Sequence, residues 1–183
     1  MELTLLKSFV KDKSVASVTP TSDLCVKRVC KRINFSKPFT LVEYGPGTGV
    51  FTNYLLEKAH PESKILAIEK NKTLANVLKK ANDERLEVFH DDASNVKKIL
   101  KQQNIKEVDY ILSAIPFSLF SSEQKDSIIK DSKDILSKEG KLLVCQVSKQ
   151  LKPYLHRHFD KVEVDFEVRN FPPLFVFEAK SKA

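Results

Sequence analysis

Between Leu41 and Thr52 the chain reads LVEYGPGTGVFT, with Gly45, Gly47 and Gly49 alternating with other residues after an apolar run and before a helical pattern. Glycine tolerates positive φ and lets another group approach the backbone closely. A helix that starts after such a loop offers free N–H groups and the positive end of its dipole. The spacing is GxGxG with Val50 next, whereas a dinucleotide loop reads GxGxxG with its third glycine inside the helix. Glu43 stands two residues before the first glycine, at the predicted strand end. A carboxylate there repels a pyrophosphate and attracts a cation. The ligand predicted from this arrangement is a nucleoside that carries a sulfonium and an ammonium and no phosphate, S-adenosylmethionine. Two further acids extend the constellation. Glu69 closes the next strand-like run, where a carboxylate accepts hydrogen bonds from both ribose hydroxyls, and Asp92 follows the third run, within reach of the adenine amino group.

These groups need a scaffold that brings successive strand ends together. Strand-like runs cover Phe39–Tyr44, Lys64–Glu69, Leu86–His90, Tyr110–Ala114, Lys141–Val147, Lys161–Val168 and Leu174–Ala179. Helical patterns cover Val50–Ala59, Thr73–Ala81, Ser94–Gln103 and Ser122–Ser137, and Glu139-Gly140 reads as a turn. Strand and helix in alternation predict an α/β fold, a doubly wound parallel sheet covered on both faces. The last two strands are joined only by RNFPP, so they pair antiparallel. In such a sheet, ligands bind beyond the carboxyl ends of the strands. Before the first strand, Thr21 or Ser22 can cap a helix that runs to about Arg32. The first dozen residues form a candidate amphipathic helix, with Leu5, Leu6, Phe9 and Val10 on one face and lysines nearby.

The stretches VEYGPGTG, AIEKN and HDDAS resemble the cofactor motifs of class I S-adenosylmethionine-dependent methyltransferases. The likeness runs from about Phe39 to the final hairpin. It implies a Rossmann-like seven-stranded sheet of order 3-2-1-4-5-7-6 with strand 7 antiparallel. It also implies cofactor contacts from Glu43, Gly45, Pro46, Gly47, Gly49, Glu69, Lys70, Asp92, Ala93 and Ser113. The fourth strand and its exit, DYILSAIPFSLF, are similar to two groups within that family. Ribosomal RNA adenine N6-dimethyltransferases carry Asn-Leu/Ile-Pro-Tyr/Phe here, and Ala114 stands where their Asn would be. Bacterial-type phospholipid N-methyltransferases carry Ser-Gly/x-Leu-Pro and an apolar residue, similar to Ser113-Ala-Ile-Pro116-Phe117. They also show a PSS-like stretch and a NxPPAxV turn, similar to Thr19-Pro-Thr-Ser22 and Asn170-Phe-Pro-Pro173-Leu-Phe-Val176. This second resemblance implies methyl transfer to the amine of phosphatidylethanolamine. Tyr44 and Ser113 would orient the head group, and Pro116 and Phe117 would wall the acceptor nitrogen. The alternatives are an rRNA adenine N6-methyltransferase-like enzyme, another small-molecule methyltransferase, or a binder of the cofactor without activity.

Composition bounds the partners. The 183 residues predict one domain, 1–183, with 1–35 as an N-terminal helical cap. The net charge of +7, supplied mostly by lysine, points to an anionic partner. Lysine suits diffuse attraction to an anionic membrane surface, while arginine suits bidentate reading of phosphates and bases. A phospholipid or a peripherally contacted membrane is therefore the first candidate partner and RNA the second. Cys25, Cys30 and Cys145 form no CxxC pair and read as reduced thiols, and the histidines have no metal spacing, so no metal is expected. MELTLLKSFVKDK is too charged for a secretory signal, which predicts a cytoplasmic protein, peripheral on the inner face of the membrane. His156, His158 and the lysines at 97, 98 and 101 read as solvated surface.

Overall fold

A computed structural model describes residues 21–181. The expected helix over the first dozen residues lies outside them. The described chain begins with α1 (Asp23–Cys30), capped by Ser22, whose hydroxyl accepts from the Cys25 amide. Six strand and helix units follow: β1 (Thr40–Tyr44), α2 (Val50–Lys58), β2 (Lys64–Glu69), α3 (Lys72–Leu78), β3 (Leu86–His90) and α4 (Val96–Gln102). The second half comprises β4 (Val108–Ser113), α5 (Ser122–Ile135), β5 (Leu136–Gln146), α6 (Lys152–His158), β6 (Lys161–Glu167) and β7 (Leu174–Lys180).

The seven strands form one sheet of order β3-β2-β1-β4-β5-β7-β6. Strands β1 to β5 pair parallel, and β7 runs antiparallel to both β5 and β6. The predicted topology is borne out, including the closing hairpin. Burial on both faces explains the continuous apolar runs of the central strands. Val42, Tyr44, Ile68, Ile111 and Phe177 face α4, α5 and α6, while Leu41, Ile65, Leu112, Leu143 and Cys145 face α1 and α2. Cys25, Cys30 and Cys145 are buried free thiols on that second side.

α1 is also fixed by charge. Arg28 meets Glu167 at 3.3 Å, Arg32 meets Glu178 at 3.2 Å and also Asp165, and Lys141 meets Glu178 at 3.3 Å. Glu167 is fully buried and also takes Arg169 at 2.8 Å, and the hydrogen bonds and charge of Arg169, joined by Arg28, hold its carboxyl well below the usual range.

Two local expectations need correction. The helix expected to reach Ser137 ends at Ile135, and Glu139-Gly140 is no free turn but part of β5. The register moves from Val108↔Leu136 to Tyr110↔Lys141, so extra residues bulge out of β5. A Cβ on Gly140 would stand 3.0 Å from the Ser137 carbonyl oxygen, so any larger residue there is crowded against the bulge. The second correction is α6, which falls between the elements expected from the sequence. Leu151, Leu155 and Phe159 are buried at four-residue intervals, a helical stripe. Within this helix His158 turns inward to Asp126 at 3.0 Å instead of standing free in solvent, and Arg157 reaches the same carboxylate.

Candidate active site

The loop after β1 passes over the end of β2 and is tied there by backbone groups. The Gly45 amide donates to the Ile68 carbonyl at 2.9 Å, and the Gly47 amide donates to Glu69 Oε2 at 3.0 Å. Glu69 Oε1 accepts from the Asn71 amide at 2.7 Å, so one carboxylate, 7% exposed, braces two loops. Gly45 has φ +63°, and a Cβ on it would lie 2.5 Å from Ile115 Cγ2. The glycine therefore serves two purposes, a left-handed turn and close contact with the segment after β4. Gly49 has φ +79° and is the N-cap of α2, where a Cβ would meet Leu78 Cδ2 at 2.7 Å.

These loops surround a cleft of about 490 Å³ at the carboxyl ends of the strands. Of the predicted cofactor residues, Gly45, Pro46, Gly47, Glu69, Lys70, Asp92 and Ala93 line it, as does Pro116 from the acceptor set. Asp92 caps the short 3-10 turn Ala93–Asn95 through the Ser94 amide and meets Lys70 at 3.0 Å. Burial pushes its carboxyl up, but the Ser94 amide and the Lys70 ammonium outweigh that and leave it below its ordinary value. Asp91, which the sequence does not single out, also lines the cleft and accepts from the Asp92 amide and from Asn95.

Five predicted residues are absent from the cleft wall: Gly49, which caps α2, and Glu43, Tyr44, Ser113 and Phe117. Glu43 is 1% exposed and is absent from the cleft wall. It lies on the α2 side of the sheet, where Oε2 accepts from the Thr52 hydroxyl at 2.7 Å and Oε1 has no partner. Burial pushes its carboxyl up to about 7, with a smaller push from Glu69 and an opposing pull from Thr52. It buttresses the first turn of α2 from below and does not face a cationic ligand. Tyr44 is fully buried on the opposite face, its hydroxyl 3.2 Å from Ser132 Oγ, and burial raises its phenol. It cannot reach a head group. Ser113 is fully buried, off the cleft wall, with its hydroxyl unpartnered. Phe117 is 3% exposed and belongs to the core; it packs on Phe120 at 5.7 Å, and of these two rings it is Phe120 that lines the cleft, as does Phe51 from α2. Phe120 follows the 3-10 turn Phe117–Leu119 as its extended C-cap, and its ring is tilted against that of Phe117.

The cleft thus has two unlike walls. On the β1–β3 side its charged groups are Glu69, Asp91, Asp92 and Lys70, the last spent on Asp92. On the β4 side stand Ala114, Ile115, Pro116, Leu119 and Phe120. The Ile115 carbonyl accepts from the Gln146 side chain at 2.8 Å, which anchors this wall to the end of β5. Thr21, just before α1, and Gln124, whose side-chain oxygen is held by the Ser121 amide at 2.9 Å, complete the rim.

An acidic wall with its one lysine already paired disfavours a pyrophosphate and suits a cationic nucleoside. S-adenosylmethionine fits this donor set: the glycine loop leaves room along its backbone, and each Glu69 oxygen retains a lone pair after its amide bond. Among the described residues no cluster of His, Cys, Asp and Glu could hold a metal ion.

The family model described as ribosomal RNA adenine dimethylase matches residues 20–146. The chain is 27% identical over 174 residues to an ornithine lipid N-methyltransferase of Singulisphaera acidiphila, a match that covers 93% of this chain and 91% of that one. It is 30% identical over 115 residues to a probable ribosomal RNA small subunit methyltransferase A of Thermococcus sibiricus, over 57% of this chain and 38% of that relative. Among solved structures, precorrin-6y C5,15-methyltransferase of Geobacter metallireducens superimposes with a TM-score of 0.69 at 15% identity, covering 93% of this chain and 96% of that chain, a likeness of fold.

Proposed function

The chain belongs to the ribosomal RNA adenine dimethylase family and is an S-adenosylmethionine-dependent methyltransferase, and from that premise we propose that its acceptor is the amine of a lipid head group. The observation that carries this reading is the β4 wall of the cleft. Ala114 offers a methyl group where an adenine-reading enzyme of the resembled type has an amide, and Ile115, Leu119 and Phe120 continue the apolar surface. The relative that matches nearly the whole chain is named for methylating a lipid amine, which supports the same choice. Phosphatidylethanolamine and an ornithine lipid both present such an amine, and phosphatidylethanolamine is the proposed acceptor.

S-adenosylmethionine supplies, when bound, a methyl group already activated on a sulfonium. The chain's own residues then hold and align. Glu69 and the glycine loop seat the nucleoside, and Asp92 stands at the edge of the base site. The apolar wall restricts the amine to one approach, and alignment of this kind is worth up to about 7–11 kcal/mol. An attacking amine must be neutral, and among the described residues the β4 wall presents no carboxylate or histidine, so the ammonium proton leaves to water at the rim or to a carboxylate of the opposite wall.

A second reading, methylation of an rRNA adenine, is favoured by the family model itself. One experiment separates the two. Purified protein is incubated with methyl-labelled cofactor and with vesicles of phosphatidylethanolamine, vesicles containing ornithine lipid, or ribosomal RNA. Label in the lipid is the expected result. Label in the RNA alone would overturn the proposal, and label in ornithine lipid alone would keep the lipid class and change the head group.

A further inference from the structure

Large apolar side chains exposed on the described surface are Leu24, Leu119, Val147, Phe166, Val168 and Phe171. Single exposed apolar residues are normal on any protein surface. Their placement here is not scattered. Leu119 follows β4 on the cleft wall and is 81% exposed. Val147 follows the last residue of β5. Gln146 pairs with Phe175, and Phe175 pairs with Phe166, so Phe166 lies at the same end of the sheet. Val168 and Phe171, 65% and 82% exposed, occupy the β6–β7 turn beyond it. The Asn170 side chain in that turn accepts from the Ser22 amide at 2.8 Å, which brings the start of α1, with Leu24, to the same end. None of the six lies at the opposite end of the sheet. Thr21, beside Ser22, and Leu119 line the cleft, so the apolar set shares its end of the sheet with the cleft mouth.

Cations border this set. Lys149 is exposed, with its ammonium 5.0 Å from the Phe175 ring, and Lys152 is exposed three residues on. Arg169, 55% exposed, stands beside Phe171. The carboxylate that ends β6, Glu167, is fully buried under Arg28 and Arg169. Exposed aromatic and aliphatic tips with basic neighbours are what a bilayer interface binds: the tips enter the acyl boundary and the cations meet anionic head groups.

We infer that the β6–β7 turn and the loops after β4 and β5 form a docking face for an anionic bilayer, set around the cleft mouth so that a head-group amine enters without leaving the membrane. This rests on the lipid reading for its purpose, but the surface can be tested without any methyl acceptor. The full chain is sedimented with vesicles of phosphatidylcholine, with and without phosphatidylglycerol, neither of which carries a primary amine. Binding to the anionic vesicles is expected. The pair Val168→Asp and Phe171→Asp is expected to weaken it about tenfold or more, with S-adenosylhomocysteine affinity unchanged by calorimetry. The milder pair Val168→Ser and Phe171→Ser serves if the first disturbs cofactor binding. Absence of vesicle binding by the unaltered chain overturns the inference, as does equal binding by the substituted chains. A change from dimer to monomer in those chains with no loss of vesicle binding assigns the face to a second copy and overturns it too. Vesicle binding that survives while methyl transfer goes only to RNA leaves the docking face standing and removes the lipid substrate, so the two failures are distinct.

Discussion

The two halves of the sheet end differently. Beyond β1 the backbone turns through glycines, and the charged side chains at the ends of β2 and β3 are carboxylates engaged by amides and by one lysine. Beyond β4 and β5 the wall is alanine, isoleucine, proline, leucine and phenylalanine, and polar fixation comes through a backbone carbonyl. The first half can be read because its ligand demands particular atoms at particular strand ends. The second half sets only shape and polarity, and many residues satisfy those demands. In the proposed function the first half seats the cofactor and the second half selects the acceptor.

Four substitutions test that division, beginning with the one expected to do most. Gly45→Val places a branched side chain at positive φ and against Ile115. Because this glycine touches both halves, S-adenosylhomocysteine affinity and methyl transfer should both fall more than about a hundredfold, equivalent to roughly 3 kcal/mol. Loss of only one of them would show that the halves are independent.

Glu43→Gln tests the buttress under the donor half. The Glu43 carboxyl titrates near 7 in the fold against an ordinary value of 4.5. Between these values the unfolded chain has released the proton and the folded chain keeps it, so stability falls as pH rises. The contribution is fully present below 4.5 and is lost through pH 7, a change on the order of 3 kcal/mol. Denaturation midpoints of the substituted protein should therefore gain on the parent steadily from about pH 5 to about pH 8. Parallel curves would remove Glu43 from the account.

Glu69→Ala leaves the Gly47 and Asn71 amides without their shared acceptor. Cofactor affinity should fall about thirtyfold, roughly 2 kcal/mol, as measured by calorimetry. Phe120→Ala acts on the other wall. It should cost about tenfold in kcat/KM for the acceptor, roughly 1.4 kcal/mol, with cofactor affinity within about twofold. A comparable loss of cofactor affinity would erase the contrast between the walls.

The sequence is informative where chemistry and periodicity coincide. The glycine loop, Glu69, Asp92, the parallel order and the closing hairpin are all legible in it. Strand-end side chains are harder because facing depends on parity: neighbours on a strand point to opposite faces, and either face can be interior. Glu43 follows Leu41 toward α2 and Tyr44 follows Val42 toward α5, so neither meets the cleft. The same ambiguity hides Phe120 behind Phe117, since FSLF offers two rings three residues apart and no sequence signal says which turns inward. The helix over Lys152–His158 escapes a reading by periodicity because its stripe is only three residues long and begins beside a proline.

The bond from the Gln146 amide to the Ile115 carbonyl has an evolutionary side. Every residue type has a carbonyl, so this tether holds whatever amino acid occupies position 115. Its neighbours at 114, 116 and 119 can change with no loss of that anchor. Such a wall can drift from one acceptor to another while the donor machinery stays in place, which gives one scaffold room to serve relatives named for nucleic acid and for lipid.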